Sequence, residues 1–315
     1  MSSGNVSKTS RSQWLFTKSL RFELFYKAEP EIFNSVDFLS NNEWCKANLD
    51  ILRVNMPNKV RKDPLLSYTK ALRSSDIGSK TDICVHYSLK NNIGRNSIDS
   101  MEKCLLFLHQ MNDLNIEEVL LVSGSGKVKK SVNSLSFLEY LSKHNTIDRV
   151  QQMKTKIGIA YNCYFLDEDD QNVEDNRLLS KLNTGLVNSI WLQFGTDINK
   201  LENSIINIRK YSNVRIIGSL FIPSKQLLAR FKFRPWNGVF LSEKYLNDIN
   251  DAISITKSII SIYFKYNIEI VIESAIKNED ELNKMLSLFE ETEAVEHVND
   301  NSIQLEEVKR PKLDT

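Results

Sequence analysis

The sequence is short of the residues that punctuate or cross-link a chain. Its 315 residues include 10 Gly, 6 Pro and 4 Cys. Four cysteines without a C-x-x-C spacing exclude a disulfide framework and a zinc ribbon, and point to a reducing compartment. With 41 Lys+Arg against 40 Asp+Glu the formal net charge is +1. That balance excludes a nucleic-acid binder acting through bulk charge. No apolar run approaches the ~20 residues of a membrane span, so no membrane partner is expected. A G-x-G-x-x-G fingerprint is missing after the first strand-like segment. Ser123-Gly124-Ser125-Gly126-Lys127 also fails the P-loop pattern: Leu121 stands where its leading Gly would fall, and Val128 where its hydroxyl would.

What remains is ordinary globular composition, 41% hydrophobic and 26% charged, in a chain long enough for a large core. Short β-rich runs alternate with helical patterns. The runs are 20–26, 49–55, 82–88, 118–123, 156–162, 189–194, 214–222 and 269–273. They read as strands buried on both faces. Between them Met101, Cys104, Leu105, Leu108, Met111 and Leu114 keep helical spacing. Leu178, Leu179 and Leu182 do the same, with Gly185 at a plausible C′ position. Pro30 and Pro64 fall where first helical turns should begin. Strand-helix alternation implies parallel strands with right-handed crossovers. Eight units over roughly 270 residues predict a (β/α)8 TIM barrel, with a doubly wound sheet as the structural alternative.

The expected organisation is a flexible segment at 1–19, one barrel domain at 20–291 and a flexible acidic-then-basic tail at 292–315. The expected location is cytoplasmic. The acid-free, Ser-rich start suggests a mitochondrial alternative, and Lys309-Arg310-Pro311-Lys312 a nuclear one. A homo-oligomer is compatible with this reading.

In such a barrel the chemistry lies at the C-terminal strand ends. Those ends hold Glu23, Asn55, His86 with Ser88, Ser123 with Gly124 and Ser125, Tyr161-Asn162, Gln193 with Gly195, Pro223-Ser224-Lys225, and Glu273-Ser274. A shared polar mouth explains them together. Glu23, flanked by Phe22, Leu24 and Phe25, should have a raised pKa through desolvation, which suits a general acid. Pairing with a Lys or Arg inside the barrel is the structural reading. His86 is the only one of four His at a strand end. No second ligand falls at a metal-binding spacing from it, so no metal is expected. Gly124 and Gly126 would let backbone N–H groups approach an anion, or simply form a tight turn. The Gln193 amide can meet donors and acceptors of a heteroaromatic ring. After the seventh strand Lys225, Arg230, Lys232 and Arg234 interleave with Phe231, Phe233 and Trp236. That stretch suits a flat ligand with an acidic tail. A single-stranded nucleic acid is the weaker reading.

The ordered strand-end motifs resemble the methylenetetrahydrofolate reductase family of FAD-containing (β/α)8 barrels. Phe22-Glu23-Leu24-Phe25 is similar to its first-strand motif, and Val85-His86-Tyr87 stands where its third strand turns a His toward flavin. Ala160-Tyr161 matches the end of its fifth strand. Glu174 and Lys181 keep the seven-residue spacing of its cofactor-holding helix, with Gly185 following. Gln193-Phe194 and Ile222-Pro223 match its sixth and seventh strands. The likeness runs from about 20 to 240.

The resemblance implies hydride transfer from NAD(P)H through FAD to a folate- or pterin-like substrate, with Glu23 as proton donor and Gln193 orienting the ring. It implies cofactor contacts by His86, Ser123, Gly124, Ser125, Tyr161, Glu174 and Lys181, and substrate contacts by Gln193, Lys225, Arg230, Arg234 and Trp236. Two departures stand out. Tyr26-Lys27 replaces the family's Pro-Pro, and Ser123-Gly124-Ser125 replaces its Arg-Gly-Asp. The alternative reading is therefore a catalytically silent or flavin-free barrel that binds a folate-like ligand or a protein partner.

Overall fold

The structure, a computed structural model, describes residues 20–58, 60, 63–123, 132–143 and 150–292. Eight strands run β1 (Leu20–Glu23), β2 (Arg53–Met56), β3 (Asp82–Ser88), β4 (Glu118–Val122), β5 (Lys156–Tyr161), β6 (Ser189–Leu192), β7 (Arg215–Leu220) and β8 (Glu269–Ile272). Each pairs in parallel with the next, and β8 pairs with β1, so the sheet closes as a (β/α)8 barrel. The expected fold class is therefore the observed one. The strands average shorter than the apolar runs that announce them. The largest difference is β2, which starts at Arg53 and not at Leu49. Residues 43–48 instead form a helical turn capped by the Asn42 side chain, and Leu49 closes it as C-cap.

The helices described outside the barrel are α1 (Glu29–Asn41), α2 (Glu43–Asn48), α3 (Leu65–Arg73), α4 (Ser97–Asp113), α5 (Ser134–Lys143), α6 (Glu168–Leu182), α7 (Ile198–Tyr211), α8 (Lys225–Phe233), α9 (Glu243–Asn247), α10 (Ile249–Lys265) and α11 (279–292). Pro30 lies in the first turn of α1 and Pro64 is the N-cap of α3. Side chains of Asn96, Asp167, Asp197 and Ser224 accept from backbone N–H groups at the starts of α4, α6, α7 and α8, which satisfies donors a helix leaves orphaned. Gly185 follows α6 at φ +70°, the left-handed value that favours Gly. The last helix runs through Thr292, one residue past the barrel boundary expected at 291. The segments 1–19 and 293–315 lie outside the described residues. No helix among the described residues is long and apolar enough to cross a membrane.

Two cores result from the period-2 alternation of the strands. Outward residues such as Phe22, Val54, Val85, Ile159 and Ile190 pack beneath the helices. Inward residues Cys84, Leu120, Trp191, Ile217 and Val271 fill the middle of the bore. This inner cluster separates a charged lower end from a polar upper mouth.

Candidate functional site

The lower end of the bore is filled by ion pairs. Arg21 is 0% exposed. Its Nε donates to Asn55 Oδ1 at 3.2 Å and its NH2 to Asp82 Oδ1 at 2.7 Å. Arg53 Nε lies 3.7 Å from Asp82. Arg215 pairs with Glu118 and sits 3.4 Å from Glu269. Glu118 also accepts from Ser189, while Trp191 Nε1 donates to Ser189 Oγ at 2.9 Å. Burial works to lower the pKa of Arg21, but the nearby carboxylates, Asp82 first, outweigh it and leave it raised. Asn55, expected at the mouth, therefore belongs to this plug.

Above the apolar layer the mouth gathers three residues singled out in the sequence. Glu23 ends β1, and its Oε2 lies 4.0 Å from His86 Nδ1 on β3. Both side chains are largely buried, at 16% and 14% exposure. The His86 ring meets Trp191 edge-on at 5.7 Å between centroids. Gln193 follows β6 two residues after the inward Trp191, and its N–H donates to Tyr161 O at 2.8 Å.

A fourth residue joins them. Glu273 follows β8, and Ser219 Oγ on β7 donates to its Oε1 at 2.6 Å. Burial pushes its carboxyl above the ordinary range, partly opposed by the Ser219 bond. It belongs to the strand-end set of the sequence, and it stands four residues after Glu269, so the strand alternation puts both on the inward face.

Beside Glu273 opens a cleft of about 390 Å³, lined among others by Phe25, Pro223, Arg230, Trp236 and Lys284. The Arg230 guanidinium lies 5.6 Å from the Trp236 ring centroid. Trp236 also packs edge-on against Phe221 and Phe231, both 2% exposed. Of the expected stacking aromatics, Phe231 is thus core and Phe233 is fully outside at 93%. Lys225 begins α8 and Arg234 caps its end; both are exposed, and neither lines the cleft.

Several expected site residues are committed elsewhere. Tyr161, expected at the cofactor, does not face the mouth. Gly158 faces Trp191 and Ser189 in the bore, so Tyr161, three residues on, faces the helices. Its hydroxyl donates to Asp175 Oδ1 at 2.6 Å on α6 and accepts from Gln171 at 3.2 Å. Ser123 Oγ accepts from the Ser134 N–H at 3.1 Å and contacts its hydroxyl, so it closes a loop onto α5. Ser88, Asn162 and Ser274 likewise bond Asn91, Gly238 with Tyr164, and Ile222. A Cβ on Gly195 would run into the Tyr164 ring, so that glycine makes room for packing and not for a ligand. Gly124 and Ser125 lie outside the described residues.

Glu174 and Lys181 share the buried face of α6. Glu174 accepts from Arg177 at 2.8 Å, and Lys181 Nζ donates to Ala160 O at 3.3 Å. Burial lowers the Lys181 pKa, with Glu174 opposing it. Among the described residues no group of three or more His, Cys, Asp or Glu could hold a metal ion.

Fold and site together define a class: a (β/α)8 barrel whose C-terminal mouth carries two carboxylates, an imidazole and an amide. No family model matches the sequence, and no curated protein does. Among solved structures, the chain is similar to the GH53 catalytic domain of Ignisphaera aggregans, at 9% identity and TM-score 0.49, over 82% of this chain and 84% of that one. It is also similar to 2,3-dimethylmalate lyase, a PEP mutase/isocitrate lyase superfamily member, at 10% identity and TM-score 0.47, over 97% and 87%. The barrel assignment rests on the strand pairings themselves.

Proposed function

We propose that the chain is a reductase resembling the methylenetetrahydrofolate reductase family, acting on a folate- or pterin-like ring. The observation that carries this reading is the Glu23 carboxylate 4.0 Å from His86 Nδ1 in the barrel mouth, with Gln193 on the same rim. A bound flavin would supply hydride transfer between NAD(P)H and substrate. The donor set fits such a group at its ring end, where His86 and Gln193 offer an imidazole and an amide. Lys181 does not reach such a group, because it is 3% exposed on the inner face of α6 and its Nζ donates to Ala160 O. Tyr161 and Ser123 do not take part, since their hydroxyls are spent on Asp175 and Ser134.

In this reading Glu23 holds the proton that the reduced substrate receives. Gln193 orients the ring through paired donor and acceptor contacts. The Arg230–Trp236 pair receives an acidic tail over an aromatic face. The test is the absorbance spectrum of purified protein, followed by added FAD and NAD(P)H. Expected are flavin bands, or uptake of FAD, and a Glu23→Gln variant that still bleaches with NAD(P)H but no longer reduces the carbon substrate. Protein that neither carries nor takes up flavin overturns the proposal. The flavin-free binding barrel is favoured by one observation, the commitment of Ser123 to α5. It is the reading left if a folate-type ligand binds while NAD(P)H is not oxidised.

A further inference from the structure

The mouth holds two carboxylates where the reductase reading uses one. β1 and β8 pair in parallel with Arg21 opposite Val271 and Phe22 opposite Ile272. Glu23 and Glu273 are the next rung. Adjacent strands lie about 4.8 Å apart. Both side chains face the bore: Glu23 meets His86, and Glu273 meets Ser219, which alternates with the inward Ile217. Two carboxyls that end neighbouring strands on the same inward face, both largely buried, resist ionising together.

We propose that Glu273 is the positioning partner of Glu23: the two carboxyls carry one proton between them near neutral pH, so that Glu23 remains protonated until it meets substrate. The role assigned to Glu23 rests on the proposed function; the sharing itself does not. Of the pair, Glu273 accepts the Ser219 hydroxyl. That bond favours its ionised form and leaves the proton to Glu23. On delivery the O–H bond of Glu23 breaks and the substrate atom gains the proton, and the doubly ionised pair then takes up one proton from bulk solvent to restore the shared state. Among the described residues, the titratable and charged groups around the pair are His86 on β3, Tyr26 and Lys277 beside Glu23, Tyr263 on α10, Arg230 on α8, and Glu281 and Lys284 on α11. Tyr263 donates to Ser219 O at 3.0 Å, which ties its hydroxyl to the same strand end.

The experiment is a pH titration of the full chain followed by ¹³C NMR of the glutamate side-chain carboxyls, with Glu23→Gln and Glu273→Gln used to assign the two signals. Sharing predicts two linked steps in the wild type. It predicts one ordinary step for Glu23 in Glu273→Gln, at least about one pH unit below the upper wild-type step. Each such unit is a tenfold change in proton affinity. Glu273→Asp, which keeps a carboxyl, should keep two steps. In turnover, the basic limb of the kcat/KM profile moves down by the same amount in Glu273→Gln. A Glu23 signal that titrates identically in wild type and Glu273→Gln overturns the sharing, even where Glu23→Gln abolishes substrate reduction. A chain that never binds flavin overturns the reductase reading and leaves the titration readable.

Discussion

The two ends of the bore use the same residue types to opposite ends. At the bottom, three arginines face Asp82, Glu118 and Glu269, and most of their polar atoms are paired. At the top, Glu23 lies beside the His86 imidazole and Glu273 accepts the Ser219 hydroxyl. Charge at the bottom is met by opposite charge across the bore, whereas at the top Glu273 is met by a hydroxyl and burial raises its pKa. That matches the general division of such barrels into a stabilising N-terminal face and a chemical C-terminal face.

The sharpest way to break the comparison is to cut the plug. Arg21→Met removes the fully buried cation and leaves Asp82 with Arg53 alone. It should cost about 3 kcal/mol, read as a fall in the urea midpoint at unchanged slope. Glu118→Gln keeps the shape but strips the charge that Arg215 faces, and should cost about 2 kcal/mol by the same measurement. Glu23→Gln and Gln193→Ala, made at the mouth, should stay within about 1 kcal/mol of wild type. A mouth variant as damaging as Arg21→Met would erase the distinction.

Much of this was legible in the sequence, and the limits have physical causes. The barrel was readable because the outward face of each strand is apolar and the strands alternate with helical patterns. Glu23 and His86 were readable as polar side chains at the ends of apolar strands, which the alternation of the strand turns into the bore. Tyr161 was misread because a strand end alone does not say which face a side chain takes; the alternation from Gly158 decides that. The plug was hidden because its members, Arg21, Asp82 and Arg215, look like ordinary strand-start charges until closure of the sheet turns them inward. Ser123 and Asn162 were polar for the sake of loop closure, a demand that depends on partners 11 and 76 residues away.

Tyr161→Phe sharpens the middle of the comparison. It deletes only the hydroxyl held by Asp175 and Gln171, and should cost about 1 kcal/mol. Flavin uptake should be unchanged, because the ring faces the helices. A variant that folds normally but loses flavin would return Tyr161 to the site.

The smallest expected effect has the opposite sign. The Glu273 carboxyl is raised by burial in the folded chain, so the folded state holds its proton more tightly than the unfolded chain does. Below the ordinary carboxylate range both states are protonated and the group is neutral to stability. As pH rises from that range through the raised folded value, the unfolded chain ionises first and stability falls. Glutamine carries no proton to lose. Glu273→Gln should therefore match wild type near about pH 3 and exceed it at neutral pH, by less than about 1 kcal/mol. Paired urea melts at the two pH values measure it. A gain in stability alongside a displaced pH profile for turnover would show a carboxylate kept at the mouth against the interest of the fold. A loss at neutral pH would mean that Glu273 is held as firmly as the acids of the plug, and that the two ends of the bore are built alike.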